Sequence, residues 1–387
     1  MSDLKTSAYD FTQIPYDDIV RVGQRTMLYR DLFTVSWLLG RFCNYKCSYC
    51  WPYARSDKKD HRPTELCLLT VDEIKRQARE RGFNSFHFSL SGGEPTFHPG
   101  YVDILNHLNN DAENTNYTSV HMTTNMSRSL AWHRDEYCKA VSKFHRASIT
   151  ASLHTEHVNT PEKMSEFADK LELCQQHDVQ VTINMVMVPE WFDKDYENAL
   201  YFHNRGINVT LKPQSDPTAS RVVDGYTPEM LKVLHNGMPQ RGYTEAKAAE
   251  AKLVIRPEPT FKKVADPIYS QDTIPQHFQV EFVDKNKKVW YMDQAERFNA
   301  FNFNKFKDWE CSSGYRSIII REPDGSIKRS YSCHDAPLGN IETGFNLFDG
   351  PKPCVTASCV SSADSKIPKR SPGTKLPLWP GDSSYNS

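Results

Sequence analysis

Short apolar runs recur along the first 216 residues, and longer segments with apolar residues at helical spacing separate them. The runs predict β-strands at residues 33–39, 85–90, 118–122, 147–154, 179–188 and 208–212. Between two of these strands, the stripe of Met164, Phe167 and Leu171 is typical of an amphipathic helix. Strands that alternate with helices indicate an α/β fold, here a partial (β/α)6 TIM-like barrel over residues 33–216.

Local signals refine these elements. Thr70 followed by Glu73 is a capping box, which predicts a helix that begins there and ends near Arg81. The run 33–39 is almost continuously apolar, which is typical of a strand buried on both faces. Beyond residue 216 the pattern predicts a helix at 228–236 and β-hairpins at 280–291 and 315–329.

Composition narrows the classes of function. The chain has 387 residues, with 47 Lys and Arg against 48 Asp and Glu, and a net charge of −1. This balance argues against a general basic surface for nucleic acid and against a polybasic membrane contact. Residues 1–16 lack the apolar core of a signal peptide, and no segment approaches about 18 uninterrupted apolar residues. We therefore expect a cytoplasmic protein.

The first chemical signal is a group of three cysteines, Cys43, Cys47 and Cys50, directly after the first predicted strand. The carboxyl end of a parallel strand is where α/β proteins bind ligands. Three thiolates in one loop predict a metal site with one coordination position left for another ligand. A zinc site completed by a distant Cys or His, or chance clustering among ten cysteines, would also explain the group.

The second signal follows the second predicted strand, where Gly92, Gly93, Glu94 and Pro95 stand in sequence. Two glycines allow the backbone to approach a ligand or another chain segment without a Cβ atom in the way. Alone, such a sequence is also ordinary turn chemistry. Its position at a strand end, one strand after the cysteines, favours a binding role.

Together, the C-x3-C-x2-C spacing, the aromatic Tyr49 before the last cysteine and the Gly-Gly-Glu-Pro motif resemble the radical S-adenosylmethionine (radical SAM) superfamily. The resemblance implies that Cys43, Cys47 and Cys50 bind a 4Fe-4S cluster whose fourth iron takes SAM. It implies that the motif at 92–95 holds the α-amino group of SAM. Further cofactor-binding residues implied by it are Tyr49, Thr124, Asn125, Ser152 and His154.

One of these positions departs from the family pattern. The strand end commonly reads Ser-x-Asp in the family, whereas this chain keeps Ser152 and has His154 in place of the acid. A histidine at a strand end can face solvent or bond to backbone, and it is also a competent acid or base near neutral pH. Both interpretations stay open, and the sequence indicates no catalytic acid or base. Asn184, Glu190, Lys212 and Gln214 lie near strand ends, where they would line a substrate cavity or lie on the surface.

A second group of cysteines lies near the C-terminus. Cys311, Cys333, Cys354 and Cys359 would satisfy one closed metal site, because a predicted hairpin brings distant thiols together. The region resembles the SPASM/twitch extension of radical SAM enzymes, and the count of four implies one auxiliary 4Fe-4S cluster. Structural zinc and disulfides are the alternatives. The remaining cysteines, Cys67, Cys138 and Cys174, are expected to pack in the core. Cys67 and Cys138 are expected to have no partners.

The predicted domains are an N-terminal extension (1–32), the radical SAM partial barrel (33–216), a connecting region (217–310), the twitch-like domain (311–365) and an irregular tail (366–387). The resemblance implies reductive cleavage of SAM and hydrogen abstraction from a substrate, with flavodoxin or ferredoxin as electron donor. We expect a small metabolite as substrate, such as a sugar, nucleotide or amino acid derivative. Only 42 residues precede Cys43, which argues against a fused leader-binding module, but a ribosomal peptide stays an alternative. A non-catalytic iron-sulfur or zinc protein is the alternative of another class.

Overall fold

The computed structural model describes residues 13–24, 31–217, 222–236, 280–292, 303–359 and 361–378. The chain divides into two compact units. The first comprises residues 1–35, 73–86 and 264–387, and the second comprises residues 36–72 and 87–263. The predicted domain boundaries remain a prediction, and parts of the connecting region and of the tail lie outside the described residues. In the described part, no helix has the length and apolarity needed to cross a membrane.

The second unit is built on a parallel sheet that confirms the predicted α/β fold. The strands whose carboxyl ends lie in this unit are β2 (Leu32–Leu38), β3 (Ser85–Ser91), β4 (Tyr117–Thr124), β5 (Arg146–Leu153), β6 (Gln180–Met187) and β7 (Asn208–Pro213). They follow one another in this order across the sheet, and the three pairings from β4 to β7 are parallel. Because β7 forms an edge of the sheet in the described residues, the barrel is partial rather than closed.

Helices alternate with these strands. They are α1 (Thr64–Glu80), α2 (Tyr101–Leu108), α3 (Leu130–Trp132), α4 (Cys138–Val141), α5 (Pro161–Gln176), α6 (Phe192–Asn204) and α7 (Pro228–Asn236). A π-helical turn, His133–Tyr137, joins α3 to α4. Thr160 caps α5, as its side chain accepts a hydrogen bond from the Lys163 N–H.

Two local predictions were wrong. Helix α1 begins at Thr64, six residues before the predicted capping box. The reason is that the Pro63 carbonyl already accepts the first helical hydrogen bond, from the Cys67 N–H. Thr70 instead turns its hydroxyl back to the Leu66 carbonyl within the helix. Strand β2 is not fully buried on both faces: Phe33, Val35 and Trp37 are buried, and the residues between them are only partly buried.

The cysteines outside the two groups are buried, as predicted, but they do have partners. The Cys67 sulfur lies 3.8 Å from Nε2 of His98. Cys138 and Cys174 share a hydrogen bond between α4 and α5, which lowers the pKa of Cys138 and raises that of Cys174. The prediction that Cys67 and Cys138 lack partners was therefore wrong, because helix packing places each thiol beside a hydrogen-bonding group in the core.

The first unit is mainly antiparallel. One sheet has the order β15-β10-β16-β1-β8-β9, formed by β1 (Ile19–Gln24), β8 (Val280–Asp284), β9 (Val289–Met292), β10 (Glu310–Cys311), β15 (Lys352–Pro353) and β16 (Lys369–Arg370). A second antiparallel run joins β11 (Ser317–Ile320), β12 (Ser326–Lys328), β13 (Gly339–Asn340) and β14 (Gly344–Phe345). Both predicted hairpins are present, with Phe282 opposite Trp290 and Ile320 opposite Ile327.

The described part of the predicted irregular tail (366–387) is more regular than expected, because it contains strand β16. The short helix α8 (Ser362–Ser365) lies just before it, within the range predicted for the twitch-like domain. Strand β16 pairs with both β1 and β10, so it joins the start and the end of the chain within the first unit.

Candidate functional site

The three-cysteine loop leaves β2 and runs beside the end of β3. Cys43, Cys47 and Cys50 are all half-buried, so their thiols are sheltered but accessible. The Leu39 N–H donates to the Ser91 carbonyl (2.8 Å), which ties the beginning of the loop to the next strand. This contact brings the two sequence motifs together.

The glycine motif packs against the backbone of the cysteine loop. The Gly93 N–H donates to the Gly40 carbonyl (3.0 Å), and the Glu94 N–H donates to the Phe42 carbonyl (2.7 Å). A Cβ atom at Gly92 would lie 2.3 Å from the Gly40 oxygen, and one at Gly93 would lie 2.2 Å from the Phe42 oxygen. Both glycines are therefore required for this close approach, apart from any contact with a ligand.

The Glu94 carboxylate joins the ends of β3 and β4. Oε1 accepts from the hydroxyls of Thr96 (2.7 Å) and Thr124 (2.8 Å), and Oε2 accepts from the Asn125 N–H (2.6 Å). Burial raises the pKa of Glu94, while these donors oppose the shift. Pro95 begins a short 3₁₀ turn, Pro95–Phe97, that holds the motif in place.

Asn125 connects the end of β4 to the first cysteine. Its Nδ2 group donates to the Asn44 side-chain oxygen (3.0 Å) and lies 3.7 Å from the Cys43 sulfur. The Ser127 hydroxyl also donates to the Asn44 oxygen (3.2 Å). Asn125 thus helps to orient the residues at Cys43 in this structure.

The segment that follows β5 contacts the rest of the loop, and sequence reasoning singled out only its first residue. His154 Nδ1 lies 2.8 Å from the Tyr49 hydroxyl, so the two residues form a hydrogen bond. Glu156 and His157, which were missed, bond to Ser48 and to the Lys46 N–H. The only signal for them was an acid and a histidine directly after a strand end. The alternative that His154 only faces solvent or bonds to backbone is wrong, because it bonds to Tyr49.

Burial and nearby acids keep the free thiols protonated. Burial is the main cause that raises the pKa of Cys43 and Cys50, and burial followed by the Glu156 charge raises that of Cys47 to about 12. Burial also lowers the pKa of His154 to about 4, so its imidazole is neutral near pH 7. A metal centre that binds here must therefore displace thiol protons.

Comparison with known protein families shows which family the segment with the cysteine loop and the glycine motif matches. Residues 37–202 match the sequence profile described as the Radical SAM superfamily. These residues form a radical SAM domain. Proteins of this superfamily bind a 4Fe-4S cluster and S-adenosylmethionine. The matched range contains the cysteine loop, the glycine motif and strands β3 to β6.

Relatives of the radical SAM domain include GTP 3',8-cyclases. The protein of Pectobacterium atrosepticum is 34% identical over 101 residues, which cover 24% of this chain and 28% of that protein. The protein of Clostridium perfringens is 26% identical over 162 residues, which cover 40% of this chain and 46% of the relative. The matches therefore span less than half of these relatives.

Among solved structures, anSMEcpe with bound AdoMet is similar over 81% of this chain and 79% of that chain. The identity is 15% and the TM-score is 0.48. The structure of BtrN in complex with AdoMet and 2-DOIA is similar over 54% of this chain and 87% of the BtrN chain, at 10% identity and a TM-score of 0.29.

The residues of the radical SAM domain fit the cluster that its superfamily binds. Cys43, Cys47 and Cys50 supply three sulfur ligands from one loop whose intervening residues all contact neighbouring strand ends. All three thiols are half-buried in that one loop, which suits ligands of one cluster.

Of the remaining predicted SAM-binding and cavity residues, Ser152, Asn184 and Lys212 lie on one face of the sheet. In this register, Ser152 lies opposite Asn184, and Asn184 lies opposite Thr210. His121 and Ser148, on β4 and β5, share a 2.8 Å hydrogen bond on the same face. Lys212 and Gln214 are partly buried at the end of β7, whereas Glu190 is exposed. The roles of all these residues stay predictions.

The second candidate centre lies in the first unit. Cys311, Cys333, Cys354 and Cys359 are all buried. Burial is the main cause that raises the pKa of the last three, and the nearby charge of Cys311 adds to each shift.

A buried ammonium group accompanies these thiols. Lys369 is fully buried, and its Nζ donates to the carbonyls of Asp364 (2.9 Å), Ser365 (2.8 Å) and Ile367 (2.7 Å). Burial raises the pKa of Cys354 and Cys359, and the Lys369 charge opposes this rise. A buried cation is stable only with compensating negative charge or dipoles, and bound thiolates would supply that charge.

Proposed function

We propose that this protein is a radical SAM enzyme that cleaves SAM reductively and uses the resulting 5'-deoxyadenosyl radical to abstract hydrogen from a substrate. The observation that carries this proposal is the three-thiol loop held directly against the Gly-Gly-Glu-Pro motif within a radical SAM domain. A protein that only carries electrons would have no need for a SAM site beside its cluster.

In this proposal, Cys43, Cys47 and Cys50 hold the cluster. When bound, the cluster supplies the electron that breaks a C–S bond of SAM to give methionine and the nucleoside radical. The glycine motif, Thr124 and Asn125 define the edge where SAM would lie, and Tyr49, Ser152 and His154 border the loop and the neighbouring strand end. The protein would position these groups.

We propose a small polar molecule as the substrate. The row Ser152, Asn184 and Thr210 and the bonded pair His121 and Ser148 place hydrogen-bonding groups on one face of the sheet. Such groups would orient a sugar, nucleotide or amino acid derivative. The relatives named GTP 3',8-cyclase are consistent with a nucleotide.

The C-terminal thiols are proposed to hold an auxiliary 4Fe-4S cluster. Four buried cysteines with a buried cation beside them suit a negatively charged centre. An external electron donor such as flavodoxin or ferredoxin would reduce the first cluster.

Cleavage of SAM by a Cys47→Ala variant tests the proposal. The protein and the variant are reconstituted anaerobically, given dithionite and SAM, and assayed for 5'-deoxyadenosine. We expect the product from the native chain and at least a hundred-fold less from the variant, because two cysteines hold the cluster poorly.

Cys359→Ala is the matched control, since it removes a thiol of the other centre and should retain SAM cleavage. Undiminished 5'-deoxyadenosine formation by Cys47→Ala would show that the site assignment is wrong. Absence of product from the native chain under every reducing condition would favour the non-catalytic alternative. With an active protein, candidate substrates are screened for those that increase nucleoside release, and a leader peptide serves as the comparison.

A further inference from the structure

The residues on both sides of Cys47 are bound by one short segment, His154–His157, that follows β5. The Lys46 N–H donates to Nε2 of His157 (3.2 Å), and the Ser48 N–H donates to the Glu156 carboxylate (2.8 Å). The Ser48 hydroxyl donates to the other carboxylate oxygen (2.5 Å). Because the N–H groups of both residues that flank Cys47 are held, the backbone around Cys47 is restrained.

Ring contacts reinforce this attachment. The Tyr45 ring stacks on His157, with centroids 4.1 Å apart and planes inclined by 8°. Since Nε2 of His157 accepts the Lys46 N–H, the ring proton of the neutral histidine must lie on Nδ1. His157 therefore holds two successive loop residues, one through its face and one through its edge.

Glu156 also places a negative charge beside the middle cysteine. A carboxylate oxygen of Glu156, a ring nitrogen of His157 and the Cys47 sulfur all lie within 4.8 Å of one another. Such a group could bind a metal by itself. However, Nε2 of His157 and both Glu156 oxygens already accept hydrogen bonds from the loop, so the arrangement serves the loop rather than a separate ion.

We propose that Glu156 and His157 are positioning residues for the cluster at Cys43, Cys47 and Cys50, and that the Glu156 charge lowers the reduction potential of that cluster. The inference rests on the proposed function. A carboxylate close to a ligand sulfur disfavours the addition of an electron. A lower potential makes the reduced cluster a stronger electron donor to SAM.

The charge effect is tested with Glu156→Gln, which keeps the side-chain size and one acceptor oxygen. Glu197→Gln is the control, because it removes the same charge from an exposed position on α6. Each protein is reconstituted and titrated anaerobically while the reduced-cluster EPR signal that Cys47→Ala abolishes is recorded. We expect near-native iron content in both variants, and a more positive midpoint potential in Glu156→Gln alone.

Positioning is tested by iron content and by rescue. Glu156→Ala and His157→Phe remove the acceptors for Ser48 and Lys46, and we expect each to lose at least half of the iron at this site. His157→Gln offers an amide oxygen to the Lys46 N–H and should restore part of it. Circular dichroism checks that the variants are folded.

The outcomes separate the two levels of the argument. An unshifted midpoint in Glu156→Gln would overturn the charge effect, and full iron retention in Glu156→Ala and His157→Phe would overturn the positioning role. If the native protein shows no signal that depends on Cys47, the proposed function fails, whatever the behaviour of the Glu156 variants.

Discussion

A single missing methyl group at Gly93 determines how closely two motifs approach. The Cβ atom that any other residue carries would lie 2.2 Å from the Phe42 oxygen and 2.3 Å from the Arg41 oxygen. These are backbone atoms of the cysteine loop, so they cannot move aside as a flexible side chain would. The sequence motif predicts ligand binding at Gly93, but close packing against the cysteine loop by itself requires a glycine at this position.

We predict that Gly93→Ala lowers the free energy of unfolding by about 2 kcal/mol and reduces iron bound at the first site, because overpacking displaces the cysteine loop. Gly350→Ala is the control, since a Cβ atom there meets nothing within 4 Å. Urea denaturation and iron analysis measure the two effects. Native stability and iron content in Gly93→Ala would show that the loop can shift without loss.

At the scale of elements, strand ends and the segments after them hold the candidate site. The end of β3 contacts the cysteine loop through Gly93 and Glu94, the end of β4 through Asn125, and the segment after β5 through Glu156 and His157. That segment is anchored in turn by α6, whose Asp195 accepts a hydrogen bond from the Thr155 hydroxyl (2.9 Å). Successive parallel strands thus bring distant residues to one edge.

The anchor on α6 predicts a pH dependence of stability. Burial raises the pKa of Asp195 from its ordinary value of 3.8 to about 6. Between these values the folded state holds a proton that the unfolded state has lost, so stability falls as pH rises. We therefore expect the native chain to lose more stability from pH 5 to pH 7 than Asp195→Asn does.

Urea denaturation at these two pH values measures the difference. Asp193→Asn, at an exposed position on the same helix, is the control and should follow the native pH dependence. Identical pH dependence of the native chain and Asp195→Asn would show that Asp195 titrates normally in the folded protein.

At the scale of the whole chain, each unit contains one group of cysteines in a different setting. The thiols of the second unit are half-buried, as would suit the proposed SAM-binding cluster, whereas those of the first unit are buried. The first unit draws its buried thiols and Lys369 from strands and loops spread over residues 311–369. The proposed cluster, enclosed in this way, would suit electron transfer or stabilisation rather than substrate binding.

Lys369→Met should selectively affect the C-terminal centre. Loss of the ammonium group leaves three carbonyls without their donor and removes the positive charge beside Cys354 and Cys359. From about eight irons, two clusters of four, we expect a decrease to about four. Lys352→Met, at an exposed position, is the control. Unchanged iron in Lys369→Met would exclude a role of this charge in retaining the centre.

Several features of the site could be predicted from the sequence because their signals are local. Strand and helix order follows from the spacing of apolar residues, and the cysteine loop follows from three thiols within eight residues. Signals that depend on a neighbour were misjudged: α1 begins at Thr64 rather than at the capping box, and the tail contains β16. Local preferences did not determine those boundaries, because packing and pairing outweigh them.

The sequence by itself therefore determined the α/β class and the two motifs that place residues 37–202 in the radical SAM superfamily. Only the tertiary structure decided that Gly93 meets the Phe42 backbone and that Glu156 and His157 hold the residues around Cys47. The physical reason is distance along the chain. More than a hundred residues separate Glu156 from Ser48, and no local pattern specifies which side chains parallel strands bring together at their carboxyl ends.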